Sequence, residues 1–211
     1  MANEIPAGRV IQGARQMLGA KWRHEGRTRF GVDCIGLVLL SLSLAGWRPR
    51  DARSAYRMVY PRVADADTLQ SILATEGTAV ELAEAQPGDV IVFHYPSARF
   101  AQHCGILTVV ASASVPVFAG AEAGATVLPH TGTTALADRR AWIIHACTGA
   151  KRVVEVPMGD SAVSAFRIAG VIQVPAGTPM LPFSPAEFLA AETLILEGSK
   201  LWARHLEPLA A

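Results

Sequence analysis

Charge of either sign is scarce in this sequence. Asp, Glu, Lys and Arg make up 18% of its 211 residues, and 19 basic against 18 acidic side chains give a formal net charge of +1. A charge this close to zero provides no electrostatic attraction to DNA or RNA, so no nucleic-acid partner is expected. Hydrophobic residues make up 51% of the chain, which excludes disordered and collagen-like classes and indicates a hydrophobic core.

Long apolar runs are also missing. The longest one, at residues 35–45, is shorter than the about 20 residues that a membrane-spanning helix needs. The first residues include Glu4, Arg9 and Arg15 and lack the apolar segment of a signal peptide. We therefore expect a protein that has no signal peptide, does not insert into a membrane and is made in the cytoplasm.

Cysteine is rare, too. The three cysteines form no CxxC pair and no spacing typical of zinc ligands, so we expect no disulfide framework, no metal and no cofactor, and at least one free thiol. His94 and His130 have three interpretations: surface histidines, substrate contacts or, together with His103, a zinc site. The spacing of these histidines does not support the zinc site.

Apolar periodicity predicts helices in the first half of the chain. A helix over residues 5–18 is predicted from an apolar face that consists of Val10, Ala14, Met17 and Leu18. Asp33 directly precedes an apolar stretch, so it is predicted to cap a buried helix whose first residue is Cys34. A shorter helix is predicted over residues 68–75.

The second half of the chain is predicted to form strands. Short β-rich runs occur at residues 90–93, 103–110, 141–146, 152–156 and 166–174. Strands that follow one another without intervening helices favour an antiparallel sheet, and the helices before them favour an α+β fold. The connection at residues 111–138 is long, and connections of this length are usually functional or form a separate hairpin.

The end of the chain has the pattern of a separate helix. After Pro175 comes a Pro-rich linker, and Ser184 with Glu187 forms a capping-box pattern that predicts a helix to about Leu206. The helix carries an apolar stripe that consists of Phe188, Leu194, Ile195, Leu201 and Trp202. This stripe has to be buried, either on the same domain or on another protein, and we favour a docking helix within a unit at residues 176–211.

One cysteine lies where a thiol becomes reactive. Cys34 is predicted at a helix N-terminus, which lowers a thiol pKa from about 8.5 toward about 3.5–7.5. His103 and His145 lie in predicted strands, and neighbouring strands would bring both rings to the start of this helix. The first imidazole would take the thiol proton and the second would orient the first. Cys104 and Cys147 are interpreted as packing residues, with a position beside the site as the alternative for Cys147.

A short basic segment precedes this cysteine. Residues 21–29 contain one lysine and three arginines within nine positions. The simplest interpretation is a solvated loop. Its position just before the predicted nucleophile makes a wall for an anionic substrate the alternative.

Four segments resemble a known family when they are taken in order. They are DCIGLV at residues 33–38, PGDVIVF at 87–93, HCGIL at 103–107 and IHA at 144–146. In this order they resemble the NlpC-type cysteine peptidases, papain-fold enzymes that cut peptides of bacterial cell walls. The resemblance covers about residues 5–175 and implies a papain-like α+β domain at residues 1–175, with N-terminal helices packed on an antiparallel sheet. Compared with compact members of the family, residues 111–138 are an apparent insertion.

The resemblance also implies roles for individual residues. Cys34 corresponds to the nucleophile, His103 to the general base and His145 to the residue that orients the base. Trp22 stands where many relatives have a tyrosine of the oxyanion hole, and it is grouped with Asp33 and His24 as oxyanion or substrate residues. No metal and no cofactor are implied.

The family implies a peptidoglycan endopeptidase whose usual bond joins D-glutamate to diaminopimelate. Residues 19–27 and 166–172 further resemble the branch found with phage tails and gene transfer particles. A protein of that branch would be made in the bacterial cytoplasm and carried in a tail, with a tail hub or tip protein as partner of the C-terminal helix. The alternative is a tail structural protein that retains the fold mainly for assembly.

Overall fold

The computed structural model describes residues 5–49, 68–94, 99–112, 139–158, 162–168 and 182–203. It contains helices α1 (Ala7–Gln16), α2 (Cys34–Leu44), α3 (Thr68–Glu76) and α4 (Pro185–Ala203). All four were predicted to within a few residues at each end. Most of the expected insertion at 111–138, including His130, and most of the Pro-rich linker lie outside the described residues.

The described strands form one sheet. They are β1 (Lys21–Trp22), β2 (Arg27–Thr28), β3 (Gly31–Val32), β4 (Gly77–Val80), β5 (Val90–Phe93), β6 (His103–Ser112), β7 (Arg139–Cys147), β8 (Arg152–Pro157) and β9 (Ala162–Ile168). Their order across the sheet is β2-β3-β1-β8-β7-β6-β5-β9-β4. The described pairs are antiparallel except for β1 with β3, which run parallel. The predicted α+β class is therefore confirmed, with a mixed sheet in place of a wholly antiparallel one.

The basic segment at residues 21–29 is not the solvated loop that the sequence predicted. It supplies strands β1 and β2, and the Arg27 side chain within it is 2% exposed. The buried guanidinium is stabilised by the Asp33 carboxylate, whose Oδ1 lies 2.7 Å from Nη1 of Arg27. Two-residue strands have no readable period, so the pattern of the segment could not reveal them. The ordered strand β4 was missed because half of its residues are exposed at the sheet edge.

Helix α2 lies at the centre of the hydrophobic core. Its residues from Gly36 to Leu44 are all buried, as expected for a helix that is apolar around its whole circumference. Helix α1 packs against α2 at Gly13, where an added Cβ atom would lie 3.2 Å from the Ser41 Cα atom. Of the face predicted for α1, Met17 is buried but Leu18 is 44% exposed, because the helix ends before it. None of the described helices has the length and apolar character of a membrane span.

The C-terminal helix packs on the rest of the described domain, which is one of the two ways to bury its apolar stripe that the sequence left open. Phe188, Ala191 and Ile195 are buried in the same core cluster as α2. Gln16 of α1 forms two hydrogen bonds with the backbone of Phe183, just before the helix, at 2.7 and 3.0 Å. Phe188 and Ile195 of the stripe are therefore buried within this chain and Leu194 is half-buried, while docking of the helix to a partner stays a prediction.

The start of α4 has the geometry predicted from its sequence. The Ser184 hydroxyl accepts a hydrogen bond from the Glu187 amide at 3.3 Å, and the Ser184 amide donates to the Glu187 carboxylate at 2.7 Å. These reciprocal bonds are those of a capping box. The amide and the hydroxyl of Ser184 both donate to the Glu187 carboxylate and lower the pKa of Glu187, because they stabilise its charged form.

We predict that the two faces of α4 differ sharply in their contribution to stability. Ile195→Ala should lower the free energy of unfolding by about 2–5 kcal/mol, because the side chain is 0% exposed in the core. The matched control is Leu189→Ala on the same helix, at a side chain that is 64% exposed, with an expected change within about 0.5 kcal/mol. Urea unfolding of both variants provides the measurement, and equal losses would contradict the packing of α4 on the domain.

Candidate active site

The site begins at the buried carboxylate of Asp33. Its Oδ1 atom accepts hydrogen bonds from the Gly36 amide and from Nη1 of Arg27, both at 2.7 Å. Its Oδ2 atom accepts from the Glu25 amide at 2.8 Å. The predicted N-cap is confirmed, because the bond to the Gly36 amide satisfies one of the free donors in the first turn of α2. These three hydrogen bonds are internal to the chain, and a role of Asp33 among the oxyanion or substrate residues stays a prediction.

Burial and charge act in opposite directions on Asp33. Burial raises the pKa of this carboxyl to about 6, although the Arg27 charge and the amides of Gly36 and Glu25 lower it. A thiolate at Cys34 raises it further. Above this pH the carboxylate and the guanidinium of Arg27 form a buried ion pair that holds β2 against the start of α2.

Two glycines allow β2 to lie against this first turn. An added Cβ atom at Gly36 would lie 1.9 Å from the Gly26 carbonyl oxygen. An added Cβ atom at Gly26 would lie 2.4 Å from the Gly31 carbonyl oxygen. No side chain fits at either distance, so the glycine of the DCIGLV segment is required by the backbone that crosses in front of Cys34.

The structure brings together the three side chains that the sequence singled out for catalysis. Cys34 is the first residue of α2, His103 begins β6 and His145 lies near the end of β7. The His103 Nε2 atom lies 2.7 Å from the His145 Nδ1 atom, and the His103 ring also forms a hydrogen bond with the Cys34 thiol. Since Nε2 of His103 faces His145, its Nδ1 atom faces the sulfur.

Electrostatics determine which atoms of Cys34, His103 and His145 carry protons. Burial and the neighbouring His103 lower the pKa of His145 to about 4, so the ring is neutral at neutral pH. A neutral His145 that faces His103 through Nδ1 accepts a proton donated by Nε2 of His103 and carries its own hydrogen on Nε2. His103 can then hold a second hydrogen on Nδ1 and donate it to the sulfur of Cys34. The arrangement of Cys34, His103 and His145 therefore favours a thiolate–imidazolium pair.

A second thiol contributes to the site, and the sequence interpretation missed it. Cys104 is 1% exposed and packs in the α2 core, as predicted, but its thiol also forms a hydrogen bond with Cys34. Hydrogen bonds from Cys104 and His103, with the charge of His103, hold the pKa of Cys34 well below its usual range against the effect of burial. The available signal was the position of Cys104 directly beside His103 on β6.

Gly105 makes room for the histidine pair. An added Cβ atom at this position would lie 2.9 Å from the Ile144 carbonyl oxygen and 3.1 Å from the His145 Cβ atom. The glycine therefore lets β6 and β7 approach closely where His103 and His145 meet. Phe93 of β5 packs against the other side of the His103 ring, with centroids 5.9 Å apart.

Trp22 and His24 lie beside the strand that leads to the thiol. Trp22 pairs with Val32, two residues before Cys34, and its ring stacks on that of His24 with centroids 6.5 Å apart. The Lys151 ammonium lies 5.6 Å from the centre of the Trp22 ring, a cation–π distance. The His24 Nε2 atom lies 3.8 Å from a carboxylate oxygen of Glu25. A role of Trp22 or His24 in the oxyanion hole stays a prediction.

The described residues contain no cluster of three or more His, Cys, Asp or Glu side chains that could hold a metal ion. Cys147 is the last residue of β7, and its sulfur accepts a hydrogen bond at 3.3 Å from the Ala150 amide in the turn that follows. The arrangement as a whole offers an activated thiol, an imidazole within reach of it and a second imidazole that orients the first. That set of groups supports nucleophilic attack on a carbonyl carbon.

Comparison with known proteins agrees with this geometry. The sequence profile of the NlpC/P60 family matches residues 19–161, more than half of the chain. The chain belongs to the NlpC/P60 family. Members of this family are cysteine peptidases that hydrolyse peptidoglycan. Membership confirms the papain-like α+β fold, and the matched NlpC/P60 segment contains Cys34, His103 and His145.

Individual relatives cover parts of the chain. Probable endopeptidase NlpC of Escherichia coli (strain K12) is 32% identical over 101 residues, which are 46% of this chain and 55% of that protein. NlpC2 from Trichomonas vaginalis is 17% identical, with a TM-score of 0.47 over 78% of this chain and 47% of that chain. The NlpC/p60 domain of peptidoglycan hydrolase SagA is 15% identical, with a TM-score of 0.40 over 77% of this chain and 98% of that chain.

We predict that loss of the Cys104 thiol raises the pKa of Cys34. The hydrogen bond from Cys104 favours the charged form of Cys34, so Cys104→Val should raise the pKa of the Cys34 thiol. The rate of iodoacetamide labelling at Cys34, followed by peptide mass spectrometry over a pH series, measures this shift. Cys147→Ala is the matched control and should keep the wild-type profile. A Cys104→Val profile that overlies the wild type would show that this thiol does not stabilise the thiolate.

We predict a pH-dependent contribution of His145 to stability. Its folded-state pKa of about 4 lies below the ordinary value of 6.5, so the unfolded chain takes up the proton first as the pH falls. The contribution is complete above pH 6.5 and is lost between pH 6.5 and about 4. Urea midpoints of His145→Gln should therefore fall less steeply over this window than those of the wild type. Parallel curves would refute the lowered pKa.

Proposed function

We propose that this protein is a peptidoglycan endopeptidase that cuts an amide bond of the stem peptide through a covalent thioester. The observation that carries the proposal is the hydrogen-bonded line Cys34–His103–His145, in which a helix N-terminus and two donors stabilise the thiolate. The Escherichia coli relative, named a probable endopeptidase, supports the same class of reaction.

The reaction proceeds in two halves. In the first, the Cys34 sulfur attacks the amide carbonyl carbon, and the imidazolium of His103 gives its Nδ1 proton to the leaving amine. The Cys34 backbone amide, at the start of α2, is one donor for the oxyanion, and the indole N–H of Trp22 is our candidate for a second.

In the second half, neutral His103 takes a proton from water, and the resulting hydroxide attacks the thioester carbonyl. The C–S bond breaks, the acid product leaves and the thiolate–imidazolium pair is restored. Throughout the cycle, the bond to the His145 Nδ1 atom holds the His103 ring in the orientation that both proton transfers need.

The bond that we propose joins D-glutamate to diaminopimelate, as the family resemblance implies. Both residues of this substrate carry carboxylates. Exposed cations on β1 and at the start of β8 suit such a ligand: Lys21 lies directly opposite Arg152 in the sheet, and Lys151 lies over Trp22. Like charges opposite each other destabilise a strand pair, and a bound carboxylate would relieve that repulsion.

We further propose that the protein works as part of a phage or phage-like tail, as the resemblance of residues 19–27 and 166–172 to that branch suggests. Presence of the chain in purified particles would support this context. A structural tail protein that retains the fold without activity is the second candidate. The lowered pKa of Cys34 favours the enzyme, because a purely structural role needs no activated thiol.

Digestion of purified muropeptides, with products identified by mass spectrometry, tests the function. Cys34→Ala should abolish hydrolysis, and His103→Ala should cost nearly as much, because both groups take part in bond making and breaking. His145→Asn should retain more activity, because an orienting group is partly replaceable. Cys147→Ala should match the wild type.

Equal product formation by the wild type and Cys34→Ala would refute the mechanism. A more damaging effect of His145→Asn than of His103→Ala would show that the two histidines exchange roles. Products cut at a different amide would leave the mechanism unchanged but would show that the proposed bond is wrong.

A further inference from the structure

Two free thiols meet at the start of α2. Cys34 is half-buried at the first position of the helix, and Cys104 lies beneath it in the core with a side chain that is 1% exposed. Cys34 packs against the core cluster that contains Cys104, and the two side chains share a hydrogen bond. The proposed hydrolysis uses only the sulfur of Cys34 for bond making, which leaves a buried nucleophilic group with no chemical part in that reaction.

We propose that Cys34 and Cys104 form a reversible disulfide when the protein meets hydrogen peroxide, and that this bond switches off the nucleophile. The proposal rests on the proposed function only where it says that activity is lost. The disulfide itself follows from the hydrogen bond between the two side chains, whatever bond the enzyme cuts.

Cys34 reacts first, because it is both the more exposed thiol and the one held as a thiolate. Its sulfur attacks one oxygen of the peroxide, so that an S–O bond forms and the O–O bond breaks. The departing hydroxide takes the Nδ1 proton of the His103 imidazolium and leaves as water. Sulfur is oxidised by two electrons to a neutral sulfenic acid, and the peroxide is reduced.

The first oxidation prepares Cys104 for the second step. The hydrogen bond to Cys34, burial and the negative charge of Cys34 all raise the pKa of Cys104, with a further rise from Asp33 and an opposing effect of Arg27. Formation of the neutral sulfenic acid removes the charge on Cys34. The thiol of Cys104 is therefore held inert while Cys34 is a thiolate and is released when Cys34 is oxidised.

In the second step the sulfur of Cys104 attacks the sulfur of Cys34. The S–S bond forms, the S–O bond breaks, and the hydroxide leaves as water with the proton of Cys104. In sum, two thiols and one peroxide give one disulfide and two water molecules. The sulfurs must close from hydrogen-bond contact to about 2.05 Å. The buried partner then protects Cys34 from irreversible oxidation to the sulfinic acid.

The test treats the whole protein with hydrogen peroxide, blocks the remaining thiols and maps the peptides by mass spectrometry. We expect a cross-linked peptide pair that contains Cys34 and Cys104 and lacks two hydrogen atoms. Hydrolysis of muropeptides should fall to background in parallel and return after dithiothreitol.

Two variants distinguish formation of the disulfide from simple oxidation of Cys34. Cys104→Val keeps the core filled but removes the partner, so peroxide should carry Cys34 to the sulfinic acid and dithiothreitol should restore no activity. Cys104→Ala serves the same purpose if valine disturbs the core, and circular dichroism checks both folds. Cys147→Ala is the matched control, because its thiol bonds to a turn amide, and it should lose and regain activity as the wild type does.

Each possible outcome either supports the proposed disulfide or overturns it. A Cys34 that becomes sulfinic acid in the wild type, or a cross-link to Cys147, would overturn the proposal. Full recovery of oxidised Cys104→Val would also overturn it. A Cys34–Cys104 cross-link in a protein that hydrolyses no muropeptide would refute the proposed function and leave the disulfide standing.

Discussion

The carboxylate of Asp33 joins three parts of the chain around the start of α2. It accepts hydrogen bonds from the first turn of α2, from the Glu25 amide and from the buried guanidinium of Arg27. A buried charge is stable only when it is paired, and removal of one partner of such a pair typically costs about 3–5 kcal/mol. The position of Cys34, which follows Asp33 directly, therefore depends on an ion pair that does not take part in the chemistry.

The reactive groups form a coupled set in which each charge affects the others. A thiolate at Cys34 raises the pKa of Asp33 on one side and of Cys104 on the other, while His103 lowers the pKa of both Cys34 and His145. The thiolate is thus favoured by donors from β6, and its charge keeps the neighbouring thiol protonated. The same proximity that activates the nucleophile supplies the partner for its oxidation.

The C-terminal helix packs on the part of the chain that contains the candidate active site. Its buried face shares one core with α2, and the carboxylate of Glu192 accepts a hydrogen bond from the Arg29 amide, just after β2, at 2.8 Å. Helix α4 therefore packs against the segment that contains Arg27 and stabilises its position next to Asp33. The helix lies outside the part matched by the family, yet it contacts elements that position the nucleophile.

The sequence by itself determined the elements whose signals are local. A capping aspartate before an apolar run predicted the start of α2 at Cys34, a capping box predicted the start of α4, and the order of four segments predicted the family. These signals need only neighbouring residues, because caps and helical periods act over a few positions.

Only the tertiary structure decided which distant groups meet. The contact of Cys104 with Cys34 and the packing of α4 on its own domain join residues far apart in sequence, and the burial of Arg27 depends on the elements that pack around it. An arginine in a basic stretch has the same local pattern whether it is solvated or paired in the core. An apolar stripe likewise indicates that a helix face must be buried, but it does not indicate which surface buries it. The hydrophobic effect depends on the apolar area that is buried and is non-directional.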